Sequence, residues 1–130
     1  MNAKDFRRIA LGMKDAIESA HMGHPDFRVH GRIFATLHAD LKWGMVALTP
    51  EQQARFVADA PGVFVPENGA WGLQGATAVR LDDVEEEMLG EAMTLAWRNR
   101  VEKSASATKR SRTPGKRATT RANTRRTRKT

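Results

Sequence analysis

After residue 103 the chain has almost nothing left to bury. Hydrophobic residues make up 40% of the sequence, and the part beyond 103 contributes only Ala105, Ala107, Ala118 and Ala122. Alanine side chains alone cannot offset the roughly 1 to 2 kcal/mol per residue that ordering a backbone costs. Charge divides at the same place. Residues 1–103 carry 12 Lys and Arg against 15 Asp and Glu, a net of −3, while 104–130 carry 10 basic residues and no acid, which brings the whole chain to +7. The reading is one folded domain over 1–103 followed by a disordered, Arg/Lys/Thr-rich basic tail over 104–130.

Composition removes several chemistries. There is no cysteine, so no disulfide framework, thiolate nucleophile or zinc-thiolate cluster can form, and a metal would have to be held by His, Asp and Glu. No window approaches the roughly 18 consecutive apolar residues of a membrane span. The opening "MNAKDFRRIALGMKDAIES" mixes acids with bases and lacks a continuous apolar region, so it does not read as a leader. The expected location is the cytoplasm, with association to the nucleoid open.

Periodicity gives the domain its elements. Phe6, Ile9, Ala10, Met13, Ala16 and Ile17 recur at helical spacing behind Asn2 as a cap, which predicts a first helix reaching Ile17. Pro25 disfavours helix at His24, and from Asp26 the period changes to two. Phe27 and Val29 alternate with Arg28 and His30, His30-Gly31 offers a tight turn, and "RIFATLHA" follows: a β-hairpin. "KWGMVAL" is a third strand. "TPEQ" at 49–52 is a helix start, with Thr49 as cap, Pro50 at the first position and Gln52 closing a capping box. Pro66, Asn68-Gly69, Gly72 and Gly75 break the next stretch into extended pieces and a turn before a strand at 76–81. Asp82 and Asp83 then cap a long helix with Val84, Met88, Ala92, Leu95 and Ala96 on one face, and Arg98, Arg100 and Lys103 near its end complement the helix dipole. The predicted class is α+β, a compact two-layer domain with a largely antiparallel sheet and helices packed on one face.

"HMGHPDFRVHGRIFATL", "WGMVALTPEQQ", "VFVP", "GAWGLQGATAVRL" and "AMTLAWRN", in this order and at these separations, resemble the MmcQ/YjbR family of small bacterial proteins. The resemblance covers residues 4–101 and leaves the tail outside. It implies a CyaY-like fold. It also implies DNA binding, through similarity of that fold to a double-wing nucleic-acid module, and it supplies no catalytic residues.

Several segments invite a sharper chemistry. His21, His24 and His30 suggest a metal site, but residues three apart in an extended segment face opposite sides and miss the i, i+4 spacing that aims two imidazoles at one ion. We read them as shaping the hairpin. "LDDVEEE" is explained by helix-start capping and the dipole without an iron site. "GAWGLQG" lacks the lysine and Ser/Thr of a phosphate loop and the spacing of a dinucleotide fold, so no cofactor is expected. Its Trp71 reads as a packing anchor, with base stacking the alternative, and Trp43 and Trp97 read as core. No nucleophile or acid–base constellation indicates an enzyme.

The tail carries the strongest functional signal. Lys109, Arg110, Arg112, Lys116, Arg117, Arg121, Arg125, Arg126, Arg128 and Lys129 recur among Thr, Ala, Ser and Asn, a spacing that lays many cations along a phosphate backbone. The expectation is a sequence-tolerant nucleic-acid-binding protein, with DNA the favoured partner and a monomer the simplest state. The tail supplies affinity, and Arg28, His30, Arg32, Lys42 and Arg80 of the domain orient it. The alternative is a non-enzymatic domain binding a protein or small ligand, whose tail docks to polyanions such as RNA or ribosomes. The position of the domain's basic residues separates the two: one contiguous face favours DNA, and dispersal beside an apolar cleft favours a ligand or partner.

Overall fold

A computed structural model describes residues 1–21 and 23–112, with backbone alone for His21 and for 106–112. The first helix, α1 (Ala3–Leu11), opens on a capping box in which Asn2 and Asp5 exchange side-chain to backbone hydrogen bonds, both 3.0 Å. It stops at Gly12, earlier than periodicity predicts. Ile17 instead begins strand β1 (Ile17–His21), where it is 59% exposed. A full antiparallel ladder to the next strand, β2 (His24–Val29), overrides the helical pattern there. The last pair of the ladder joins positions 21 and 24, and direct cross-strand partners lie on one face of the sheet, not on opposite faces as the spacing predicts.

The predicted hairpin is present. β2 pairs with β3 (Arg32–Leu37) across His30-Gly31, whose φ values of 51° and 78° are those of a turn that matches strand twist. β4 (Trp43–Ala47) follows, then α2 (Pro50–Asp59), which carries the Thr49–Gln52 capping box read from "TPEQ". β5 (Phe64–Pro66), a short helix α3 (Gly69–Leu73) where only a turn is predicted, and β6 (Ala76–Arg80) lead to α4 (Glu86–Arg112). The six strands form one antiparallel sheet in the order β1-β2-β3-β4-β6-β5.

Register assigns the two faces. Phe27 lies opposite Ala35, Ala35 opposite Val46, and Val46 opposite Thr77, a continuous row of buried positions across four strands. Phe6 of α1 and Leu89, Ala92, Met93 and Ala96 of α4 bury against this face. Phe6 and Phe27 stack with ring centroids 5.9 Å apart. Phe56 of α2 and Phe64 of β5 extend the same core at 5.0 Å. Gly44 lies under Phe6: a β-carbon there would stand 2.5 Å from the ring.

The opposite face, marked by the pair Asp26 and Thr36, is covered differently. The segment 67–71, including most of α3, stands over it. α3 is tied to α2 by the Gln53 amide, which donates to the carbonyls of Gly72 and Ala76, both at 3.0 Å. The glycine-rich "GAWGLQG" now has a packing cause, since a β-carbon at Gly72 would lie 1.7 Å from the Glu67 carbonyl oxygen.

The long helix starts later than predicted and runs further. Asp82 and Asp83 lie in the turn before it, with Asp83 paired to Arg80 at 3.2 Å, and Glu86 and Glu87 occupy the first turn. Its helical backbone passes the expected domain boundary at 103 and continues to Arg112. Arg98, Arg100 and Lys103 are therefore mid-helix, and the dipole explanation for them lapses. The rest of the segment expected to be disordered, 113–130, lies outside the described residues. Among the described residues no helix is long and apolar enough to cross a membrane.

Gly44→Ala is expected to cost about 1–3 kcal/mol, the usual penalty for overpacking a filled core. Urea unfolding measures it. Combining it with Phe6→Leu should cost less than the two single changes together, because the smaller side chain relieves the clash; strict additivity would contradict this packing.

Candidate functional site

Two regions concentrate polar chemistry, a cleft on the second face of the sheet and a cluster of cations where α4 passes the sheet's end. The cleft has a volume of about 820 Å³. β2 and β3 contribute Asp26, Ile33, Thr36 and Leu37, the residues after β3 contribute His38 and Asp40, and Glu67 and Trp71 close it from the other side. The alternation of β2 explains the first of these: with Phe27 and Val29 committed to the core, Asp26 and Arg28 project to the cleft side.

Asp26 is a buried carboxylate, only 1% exposed, held by Arg28 through two hydrogen bonds of 2.9 and 3.1 Å. Those bonds, and the carboxylate's charge, hold the Arg28 guanidinium above its ordinary pKa. Across the cleft, His38 donates through Nε2 to Glu67 Oε2 at 2.8 Å, joining the end of β3 to the segment before α3. Asp40 Oδ1 accepts the Lys42 backbone N–H at 2.9 Å. That hydrogen bond, with lesser contributions from the Trp43 N–H and the charges of His38 and Lys42, lowers the Asp40 pKa despite some desolvation.

Trp71 is 60% exposed, not the buried anchor expected of it. It lines the large cleft and also a smaller cavity of about 450 Å³ that reaches Arg100 and Lys103. Trp43 and Trp97 are half-buried. Arg80 lies over the Trp43 ring at 5.9 Å, and the Trp97 indole donates to the Lys14 carbonyl at 2.9 Å.

The domain's five predicted phosphate-contact residues do not form one face. Arg28 is committed to Asp26, and Arg80 pairs with Asp83. His30 occupies the β2–β3 turn, 3.6 Å from Asp15. Lys42 and Arg80 lie at the opposite end of the sheet from that turn, since Trp43 pairs with Arg80 and Leu37 with Gly44. Arg32 is next in sequence to Ile33, whose carbonyl accepts from half-buried Arg100 at 2.9 Å. Burial, then the positive charge of Arg32, pushes the Arg100 pKa down. Lys103 lines the adjoining cavity. Among the described residues neither arginine has a carboxylate partner within ion-pair distance.

Sequence reasoning missed Arg100 and Lys103 as site residues. Their available signal was a basic i, i+3 pair at the start of the basic run, which only gains meaning once the helix is known to continue. It also missed Asp26, His38 and Glu67, whose contacts join segments 29 residues apart for the last two. Of the ten tail cations, Lys109, Arg110 and Arg112 fall on the helical backbone of α4. Lys116, Arg117, Arg121, Arg125, Arg126, Arg128 and Lys129 lie outside the described residues. Among the described residues no group of three or more His, Asp or Glu is assembled around a point that could hold a metal ion.

One antiparallel sheet, the helices α1, α2 and α4 around its core face and a short helix over a cleft on the other define a small α+β domain with a helical, basic extension. The chain belongs to the YjbR family, whose model matches residues 11–99. A crystal structure of Deinococcus radiodurans protein DR2400, carrying the family-model domain DUF419, is similar to it with a TM-score of 0.63. That similarity covers 87% of this chain and 83% of the other at 19% identity, a likeness of fold. No curated protein matches the sequence.

Because folding lowers its pKa, Asp40 adds stability that is fully present above the ordinary aspartate range and is lost as pH falls through the lowered value. Asp40→Asn is therefore expected to melt below the parent at neutral pH, with the gap closing on acidification. Melting temperature against pH tests this, and a gap that stays constant would contradict the assignment.

Proposed function

We propose that the chain binds nucleic acid in a sequence-tolerant way through the C-terminal part of α4 and the basic segment after it, with DNA the favoured partner. Of the sheet, Arg32 at the start of β3 takes part. The observation that carries this reading is the anchoring of half-buried Arg100 to the carbonyl of Ile33, next in sequence to Arg32, with no carboxylate within ion-pair distance of either arginine among the described residues. A phosphate settling there relieves their repulsion. Arg100, Lys103 and Arg110 follow one another along one side of α4 at helical spacing, so backbone contacts continue outward from that point. Contacts of this kind position a protein on a duplex without reading bases.

This reading keeps the tail and revises the domain's share. Arg32 stays, Arg100 and Lys103 join it, and Lys42 and Arg80 leave because they sit at the far end of the sheet. Arg28 leaves because Asp26 already neutralises it.

If 6 to 10 phosphates are contacted, affinity for a short mixed-sequence duplex should fall about 10³- to 10⁵-fold between 50 and 200 mM salt. Lys103→Ala and Arg32→Ala should each weaken binding and lower the salt slope by about one, while Lys42→Ala changes neither. A chain ending at Lys103 keeps Leu89, Ala92, Met93 and Ala96, the buried residues of α4 among those described, and should fold. Full DNA affinity in that shortened chain would overturn the proposal.

A further inference from the structure

The large cleft adjoins the cavity that reaches Arg100 and Lys103, sharing Ile33 and Trp71 with it, but its own charged lining has the opposite character. Its charged lining consists of Asp26, Asp40 and Glu67, with no lysine or arginine among the described residues that line it. Asp26 already has Arg28 as its counter-charge. Asp40 and Glu67 do not have one of that kind: the first accepts a backbone N–H, and the second accepts from the His38 ring. An ionised carboxylate offers about four lone-pair positions, so both keep acceptor capacity directed at whatever enters. Ile33 supplies an apolar floor, and the exposed Trp71 ring stands at the side. At about 820 Å³ the space falls within the roughly 300–1,000 Å³ of ordinary small-molecule sites.

We infer that this cleft binds a small organic cation, an amine on an apolar or aromatic body. The ammonium group is received by Glu67 and Asp40 and the body packs between Trp71 and the β3 floor. Each part of the lining selects for this class. A carboxylate ligand would bring a third like charge to Asp40 and Glu67. A neutral ligand would cover those two carboxylates and strip water from them without supplying a counter-charge. The Trp71 face favours a cation, because the negative face of an indole attracts ammonium groups. The hydrogen bond from His38 fixes the Glu67 carboxylate, so little ordering remains to be done when the amine arrives.

The test compares three probes of one shape on the full chain: phenethylamine, 2-phenylethanol and 3-phenylpropanoate, each titrated at millimolar concentration. Proton–nitrogen NMR follows the indole N–H of Trp71 and the backbone amides of 36–40 and 67–71. Phenethylamine should bind saturably with shifts confined to those residues, at least about tenfold tighter than the alcohol, while the carboxylate should not bind. Glu67→Gln should remove that tenfold preference and leave alcohol binding unchanged. Trp71→Ala, at an exposed ring whose loss spares the core, should weaken the amine as well. Binding of the carboxylate as tight as the amine, loss of no preference in Glu67→Gln, or absence of saturable shifts at the cleft with the amine would each overturn the inference. None of these outcomes bears on DNA affinity, so the two proposals stand or fall separately.

Discussion

The pairing register of β2 with β3 decides what both faces of the sheet can do. Side chains alternate along a strand, so a slip by one residue would exchange every inward and outward position. With the turn held at His30-Gly31, Phe27 enters the core beside Phe6, and Asp26 and Thr36 fall on the other side. The register irregularity opposite Phe27/Arg28 leaves Phe34 of β3 without a cross-strand partner, and Phe34 and Ala35 are buried in succession. The hydrophobic core, the buried Asp26–Arg28 pair and the floor of the cleft are consequences of that one alignment. The segment first noticed for its histidines is important for this reason.

Helix α4 is the second organising element, because it serves two functions along one length. Its first half covers the sheet with Leu89, Ala92, Met93 and Ala96. Beyond Trp97 the polar residues tie it to strand ends: the Asn99 amide donates to the Ala47 carbonyl at 3.0 Å and Arg100 to the Ile33 carbonyl at 2.9 Å. These bonds orient the helix as it leaves the domain, and the cations that follow inherit that direction. Carboxylates line the cleft, while at the helix exit Arg32 and Arg100 have no carboxylate within ion-pair distance among the described residues.

The parts legible in the sequence are those governed by local chemistry. The Asn2 cap, the His30-Gly31 turn, the "TPEQ" helix start and the strand at 76–80 depend on neighbours within four residues, and each lies where periodicity and turn residues place it. The departures have long-range causes. Ile17 joins a strand because β2 is there to pair with it. Trp71 stays exposed because the Gly72–Glu67 contact and the Gln53 bonds settle α3 over the cleft and away from the core. The cleft itself was invisible, since His38 and Glu67 carry no mutual signal until the chain is folded. The basic residues chosen within the domain shared only their charge, and folding sent Lys42 and Arg80 to one end of the sheet and Arg32 to the other.

Amide chemical-shift mapping of the full chain with a short DNA duplex tells the cationic helix exit from the adjoining acidic cleft as the contact surface. Shifts are expected at Arg32 and from Arg98 onward, with the amides of Lys42, Arg80 and the cleft residues 36–40 unchanged. Shifts centred on Lys42 and Arg80, or spread across the cleft, would contradict it.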